Sequence, residues 1–224
     1  MDPKRRAAEA ALELLPAAGT IGLGSGSTAR LFIDGVGALV AAGRALRGVP
    51  TSEASRAQAE ALGIPLAPDD GPWSIDVCVD GADEVSDALD LVKGGGGCHT
   101  REKIVNEAAR LNVIVVDASK RSRRLGERWP VPLEILAFGR DATLARLASF
   151  GRVELRARDG APWRSDAGNY LADLHAGTID RPAELDARLR AIPGIVETGL
   201  FVQRADVVLV ATADGVERLD RPAR

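Results

Sequence analysis

The chain has 224 residues, 46% of them hydrophobic and 27% charged, with a net charge of -3, which suits one large domain or two modest ones around a real core. That charge leaves no footprint for nucleic acid or an anionic membrane, and no segment approaches the roughly 18 apolar residues a membrane span needs. The two cysteines, Cys78 and Cys98, are too few for a disulfide framework and lack metal-ligand spacing. A reduced cytoplasmic protein is the expectation. The N-terminal stretch MDPKRRAAEAALELL places basic residues before apolar ones, as a signal peptide does, but Glu9 and Glu13 interrupt it and Asp2-Pro3 reads as a helix start.

In chain order, residues 3–15 read as an amphipathic helix, and TIGLGSGST as a short strand entering a Gly/Ser loop. STARLFIDGVGALVAAG continues as a helix, GVPTS as a strand, SEASRAQAEALG as a helix, and SIDVCVDGADE as a strand ending in an acidic loop. After the glycine run come a helix over TREKIVNEAARL and a strand over NVIVVD. Strands alternating with helices predict a parallel sheet covered on both faces, with ligands at the carboxyl ends of its strands.

From VPLEIL to VETGLFV the rhythm becomes β-α-β-β-α-β, the ferredoxin-like unit, and ADVVLVATADGVERL reads as one more strand of the first sheet. The expected fold is α/β: a Rossmann-like parallel sheet domain over 1–129 plus 200–224, carrying an inserted ferredoxin-like α+β domain over 130–199.

Only four of the 29 basic residues are lysines, Lys4, Lys93, Lys103 and Lys120. In so arginine-rich a chain, a retained lysine points to a position that needs a compact ammonium. Four segments carry candidate chemistry. Ser25-Gly26-Ser27-Thr28 follows a strand and opens a helix, where backbone N–H groups, hydroxyls and the helix dipole favour a phosphate; a plain capped turn reads equally well. Asp80-Gly81-Ala82-Asp83-Glu84 sets three carboxylates at a strand end, which suits magnesium, the hydroxyls of a polyol, or a solvated acidic turn.

Lys93 precedes Gly94, Gly95, Gly96 and Gly97, a costly run to order, which lets backbone amides approach a small ligand. Thr100 would cap a helix beginning at Arg101, with Ile104, Val105 and Ala108 on its buried face and Glu102 in its first turn. A glutamate held ionised there suits a general base, although acids are common at that position for electrostatic reasons alone. Lys120, in VDASK after the strand NVIVV, is either a second phosphate contact or an exposed turn lysine.

In order and at the expected separations, GLGSGSTA, VDGADE, KGGGGCHTREK and VDASK, with LHAGTID and IPGIVETGLF, resemble the A-type ribose-5-phosphate isomerases over nearly the whole chain. The resemblance implies interconversion of D-ribose 5-phosphate and D-ribulose 5-phosphate, with Glu102 as the proton-shuttling base. Ser25, Gly26, Ser27 and Thr28 would line the substrate site. Asp80, Gly81, Ala82 and Asp83, with Lys93, Gly94, Gly95 and Gly96, would form its other walls, and Lys120 would meet the phosphate.

It also implies no metal and no organic cofactor, no nucleic-acid or membrane partner, and a homodimer or homotetramer. Ser25 stands where the family often has threonine, Cys98-His99 fills a variable pair without an assigned role, and Thr51–Ser55 is a looser match. A sugar-phosphate sensor would need the anion loop but no base, and no basic helix-turn-helix pattern accompanies it. A coenzyme A transferase or an amino-sugar phosphate deaminase would not explain Lys93, the glycine run and Glu102 at this spacing.

Overall fold

Asp2 accepts the Lys4 amide at 3.1 Å and Pro3 fills the first turn, so helix α1 (Pro3–Leu12) begins where the sequence places it. The computed structural model describes residues 2–222. Next come β1 (Ala18–Leu23), α2 (Ser27–Ala41), β2 (Ala45–Pro50), α3 (Glu53–Ala61), β3 (Ile75–Asp80), β4 (Glu84–Ser86) and β5 (Leu91–Val92). They are followed by α4 (His99–Glu107), β6 (Ala109–Asp117), β7 (Arg121–Ser122), β8 (Val131–Ile135), α5 (Arg140–Leu147) and β9 (Arg152–Leu155). The chain ends with β10 (Ala157–Arg158), β11 (Ala161–Pro162), β12 (Tyr170–His175), α6 (Pro182–Arg190), β13 (Ile195–Thr198), β14 (Leu200–Phe201), β15 (Val207–Ala211) and β16 (Val216–Asp220).

Two units form. One takes the chain up to Ala82, Arg101–Lys120 and Arg204 onward; the other takes Asp83–Thr100 and Arg121–Gln203. The second unit thus holds 83–100 and 121–129 as well as the stretch from 130 onward.

The first unit is built on a sheet ordered β16-β15-β6-β3-β1-β2, parallel except for β16. Its central strands β3 and β15 are largely apolar and buried on both faces, as covered parallel strands are, while the edge strand β16 is largely exposed. Ala7, Ala11, Phe32, Ile33 and Val36 from α1 and α2 pack one side against Ile21, Leu23, Val79, Val113 and Leu209, while Val105 of α4 packs with Ile75 and Cys78 on the other. No helix among the described residues is long and apolar enough to cross a membrane.

The second unit contains an antiparallel sheet ordered β13-β8-β12-β9, with α5 and α6 in the connections, which is the ferredoxin-like arrangement. A small mixed sheet, β14-β5-β4-β7, is not legible as a sheet in the pattern of the sequence, although β14 falls within VETGLFV. Its strands run two or three residues, too short to show a period. The molecule is an α/β protein with a mostly parallel main sheet and an antiparallel subdomain.

Several boundaries differ from expectation. Helix α4 starts at His99 and stops at Glu107, and Ala109–Leu111 joins β6, where Ala109 and Leu111 pair with Ile75 and Val77. The alternation Leu111, Val113, Val115 is strand period, and the ladder with β3 outweighs the helix propensity of Ala-Ala-Arg-Leu. Thr100 is therefore inside the helix and not its cap, and Ile104 is 53% exposed rather than buried. The final segment is a hairpin, β15 parallel to β6 and β16 returning antiparallel, closed by a turn in which the Thr212 amide donates to Gly215 O at 2.9 Å. VETGLFV splits at Gly199, whose N–H donates to Pro132 O at 2.6 Å and whose carbonyl accepts the Lys93 amide at 2.9 Å.

Candidate active site

In the first unit, β2 and β3 lie on opposite sides of β1, so the order reverses there and opens the carboxyl ends of these strands to a ligand. The loop after β1 is drawn toward β3. Asp80 Oδ1 accepts the Ser25 amide at 2.9 Å and the Gly81 amide at 2.8 Å, and a Cβ on Gly24 would overlap the Asp80 carboxylate. Asp80 is buried, and this oxygen binds two loops to each other. Ser25 Oγ donates to Ser52 Oγ at 2.7 Å and lies 2.8 Å from Thr51 Oγ1, which donates to Leu23 O at 3.1 Å. Thr51 and Ser52, a loose match in the sequence, thus fix the Ser25 hydroxyl.

Gly26 precedes α2 with φ +99°, a conformation that favours glycine, and no side chain caps the helix there. Ser27 is exposed and Thr28 buried in the first turn, where the helix amides concentrate positive potential. Lys4 Nζ donates to Ser27 Oγ at 2.9 Å. Sequence reasoning gave Lys4 no role; the scarcity of lysine was the signal that marked it.

Beyond β6, the Ser119 amide donates to Asp117 Oδ1 at 2.9 Å, and the Ser119 hydroxyl donates to the same oxygen. Burial works to raise the Asp117 pKa, but those hydrogen bonds and the charges of Lys120 and Lys4 hold it below the ordinary aspartate value. Lys4 from α1 and Lys120 from the turn after β6 therefore bear on one carboxylate beside the Ser27 turn. Glu102 lies in the first turn of α4 and is 5% exposed. Its neighbour Arg101 pairs with Glu53 at 2.6 Å.

In the second unit, the glycine run folds as a tight turn in which the Gly97 N–H donates to Gly94 O at 2.9 Å, with φ of +110° at Gly94 and +80° at Gly97. Those two positions require glycine by conformation. Gly95 requires it by proximity: its amide donates to Asp83 Oδ2 at 2.7 Å, and a Cβ would come within 2.7 Å of Asp83 Oδ1. At Gly96 a Cβ would meet open space.

Lys93 is buried with its Nζ 5.4 Å from the Phe201 ring centre. His99 is buried against Gly94, and its Nε2 lies 3.3 Å from Glu197 O, which gives it a packing role. Glu84, the third acid of the Asp-Gly-Ala-Asp-Glu stretch, is buried in β4, where it accepts the Gly126 amide at 2.8 Å and the Arg128 amide at 2.9 Å. Thr100 donates to the buried Glu134 at 2.5 Å.

Among the expected site residues, the first unit joins Ser25, Asp80 and Gly81 directly and gathers Ser27 and Lys120 around Lys4 and Asp117. Ala82 follows on the same loop, half-buried. The second unit joins Asp83 to Gly95, two residues after Lys93 in the chain. No cluster of three or more His, Cys, Asp or Glu side chains able to hold a metal occurs among the described residues.

This is an α/β enzyme with its polar machinery on strand-end loops. A family model for ribose 5-phosphate isomerase A (phosphoriboisomerase A) matches residues 47–215. The ribose-5-phosphate isomerase A of Roseiflexus castenholzii is 44% identical over 98% of this chain and 95% of its own length. A solved D-ribose-5-phosphate isomerase in complex with phospho-erythronic acid superposes with a TM-score of 0.95 at 37% identity, covering 98% of each chain. The ribose 5-phosphate isomerase of Plasmodium falciparum superposes at 0.94, with 32% identity and all of both chains covered. The chain belongs to the ribose-5-phosphate isomerase A family.

Proposed function

We propose that this chain interconverts D-ribose 5-phosphate and D-ribulose 5-phosphate by proton transfer through an enediolate, with Glu102 as the base. The carrying observation is the contact of Lys4 Nζ with Ser27 Oγ at 2.9 Å on the first turn of α2, with Lys120 bearing on the same Asp117. Two of only four lysines thus attend a helix N-terminus suited to a phosphate. That anchor supplies binding energy remote from the reacting carbons.

At the reacting end, Glu102 takes the proton from C2 of the open-chain aldose, giving an enediolate whose charge rests on O1. It returns the proton to C1 while hydrogen passes from O2 to O1, so the product is the ketose and nothing is gained or lost. A carboxylate base of this kind contributes about 10²- to 10⁴-fold. Lys93 and the Gly94 and Gly96 amides are assigned to the developing oxyanion, where preorganised donors act most strongly. Asp80 and Asp83 orient the sugar hydroxyls and assist ring opening. No metal or organic cofactor enters, and the working form is a cytoplasmic homodimer or homotetramer.

Isomerisation of ribose 5-phosphate in deuterium oxide tests the route. Proton transfer through an enediolate places solvent deuterium at C1 of ribulose 5-phosphate. Complete retention of the substrate's hydrogen would point instead to a direct hydride shift.

A further inference from the structure

One cation of the second unit has no part in the scheme above. Arg156 follows β9 with its side chain only 10% exposed. Its Nε donates to Asp173 Oδ2 at 2.8 Å and its Nη2 to Asp173 Oδ1 at 2.6 Å, the fork-on-carboxylate geometry in which arginine excels. Its Nη1 turns to the glycine run, donating to Gly94 O at 2.7 Å and to Gly95 O at 3.3 Å. Charged donors on two successive backbone carbonyls of a four-glycine turn are more than packing requires. The Gly94–Gly95 peptide is also held by the Gly97 N–H and by Asp83, whereas the Gly95–Gly96 peptide has the Arg156 contact to fix its plane.

A trans peptide is planar, with its carbonyl and its N–H pointing opposite ways. Holding Gly94 O toward Arg156 therefore turns the Gly95 N–H away, where it meets Asp83 Oδ2 at 2.7 Å. Holding Gly95 O turns the Gly96 N–H away likewise, and that amide donates to no protein acceptor among the described residues. We propose that Arg156, aligned by Asp173, is a positioning residue for the isomerisation: it sets the peptide planes that aim Asp83 and the Gly96 amide at the substrate. This rests on the functional reading above. Arg156 is engaged by Asp173 and by the Gly94 and Gly95 carbonyls, so as a positioning residue its effect falls on turnover more than on binding. A misplacement of about 1 Å at such donors costs on the order of 100-fold.

The test compares Arg156→Lys, Arg156→Ala and Asp173→Asn with the parent for kcat, KM and thermal midpoint, with Glu102→Gln run alongside. Lysine keeps the charge but cannot serve carboxylate and carbonyls together. Arg156→Lys is expected to lose about 10- to 100-fold in kcat, with KM within about threefold. A cavity of about 420 Å³ lined by Gly95, Arg156, Trp163 and Asp173 gives a small cation access. Millimolar guanidinium should therefore restore several-fold of the kcat lost in Arg156→Ala, and urea should not.

A folded Arg156→Lys or Asp173→Asn enzyme within twofold of parental kcat overturns the inference, as does a lowered thermal midpoint with kcat intact. If Arg156→Ala does not fold, the kcat of the other two variants decides the question by the same thresholds. A fully active Glu102→Gln would instead strike the base assignment, which keeps the two failures apart.

Discussion

The Lys4 ammonium donates to the Ser27 hydroxyl at 2.9 Å, joining the start of α1 to the first turn of α2 across 23 residues of sequence. On the functional reading, that pair and Lys120 receive the phosphate. Lys4→Ala and Lys120→Ala should each raise KM for ribose 5-phosphate about 10-fold or more, as loss of a charge-assisted hydrogen bond of roughly 1.5–3 kcal/mol implies, while kcat changes less. Steady-state kinetics check this. An unchanged KM in both variants would remove the phosphate from this end of the sheet.

The glycine run makes a graded prediction. Gly95→Ala sets a methyl group within 2.7 Å of Asp83 Oδ1 and should displace that carboxylate, lowering stability and activity together. Gly96→Ala meets no protein atom within 4 Å and should fold normally. It should nonetheless lose turnover, because the methyl enters space assigned to the substrate. Thermal melts paired with isomerisation assays separate the two; a fully active Gly96→Ala would put the substrate elsewhere.

Glu134 is 1% exposed and accepts from Thr100 at 2.5 Å, Ser165 at 2.7 Å and Asn169 at 2.8 Å. Glu134→Ala strands all three donors and should cost about 3 kcal/mol or more. Glu134→Gln keeps the shape and one acceptor oxygen, so its loss should be smaller. Denaturant titration measures both, and equal stability of parent and alanine variant would contradict the network.

Asp117 predicts the behaviour in acid. Its folded pKa is lowered, so it contributes stability that is full above its unfolded value near 3.8 and is lost as the pH falls through the folded value. Asp117→Asn should flatten the acid limb of the unfolding midpoint below about pH 4. An identical acid limb in the variant would show that other carboxylates set it.

The sequence made the layered architecture readable because α2, β3 and β8–α6 repeat their periods long enough to be recognised. It also exposed the strand-end loops, since Ser25–Thr28, Asp80–Asp83 and Lys93–Gly97 are chemically unusual for turns. What stayed hidden was tertiary. Nothing in MDPKRR announces that Lys4 reaches Ser27, and nothing in TSEAS announces that Thr51 and Ser52 hold the Ser25 hydroxyl. Three-residue β4 carries too little pattern to read, so Glu84 looked like part of an acidic loop instead of a buried brace. Thr100 looked like a cap because a threonine before Arg-Glu-Lys often is one; here the helix begins at His99, two residues before Arg101, and Glu134 takes the hydroxyl.

Exhaustive dialysis against a chelator bears on the reading of Asp80 and Asp83 as hydroxyl ligands. Activity should survive it unchanged. A loss reversed by magnesium would return those carboxylates to a metal.

Glu102→Gln is the most direct test of the central claim. The amide keeps the size of the side chain and removes the base. Turnover of ribose 5-phosphate should fall by at least about 100-fold, while KM for ribose 5-phosphate stays within about threefold of the parent. A variant that isomerises at near-parental rate would contradict the account.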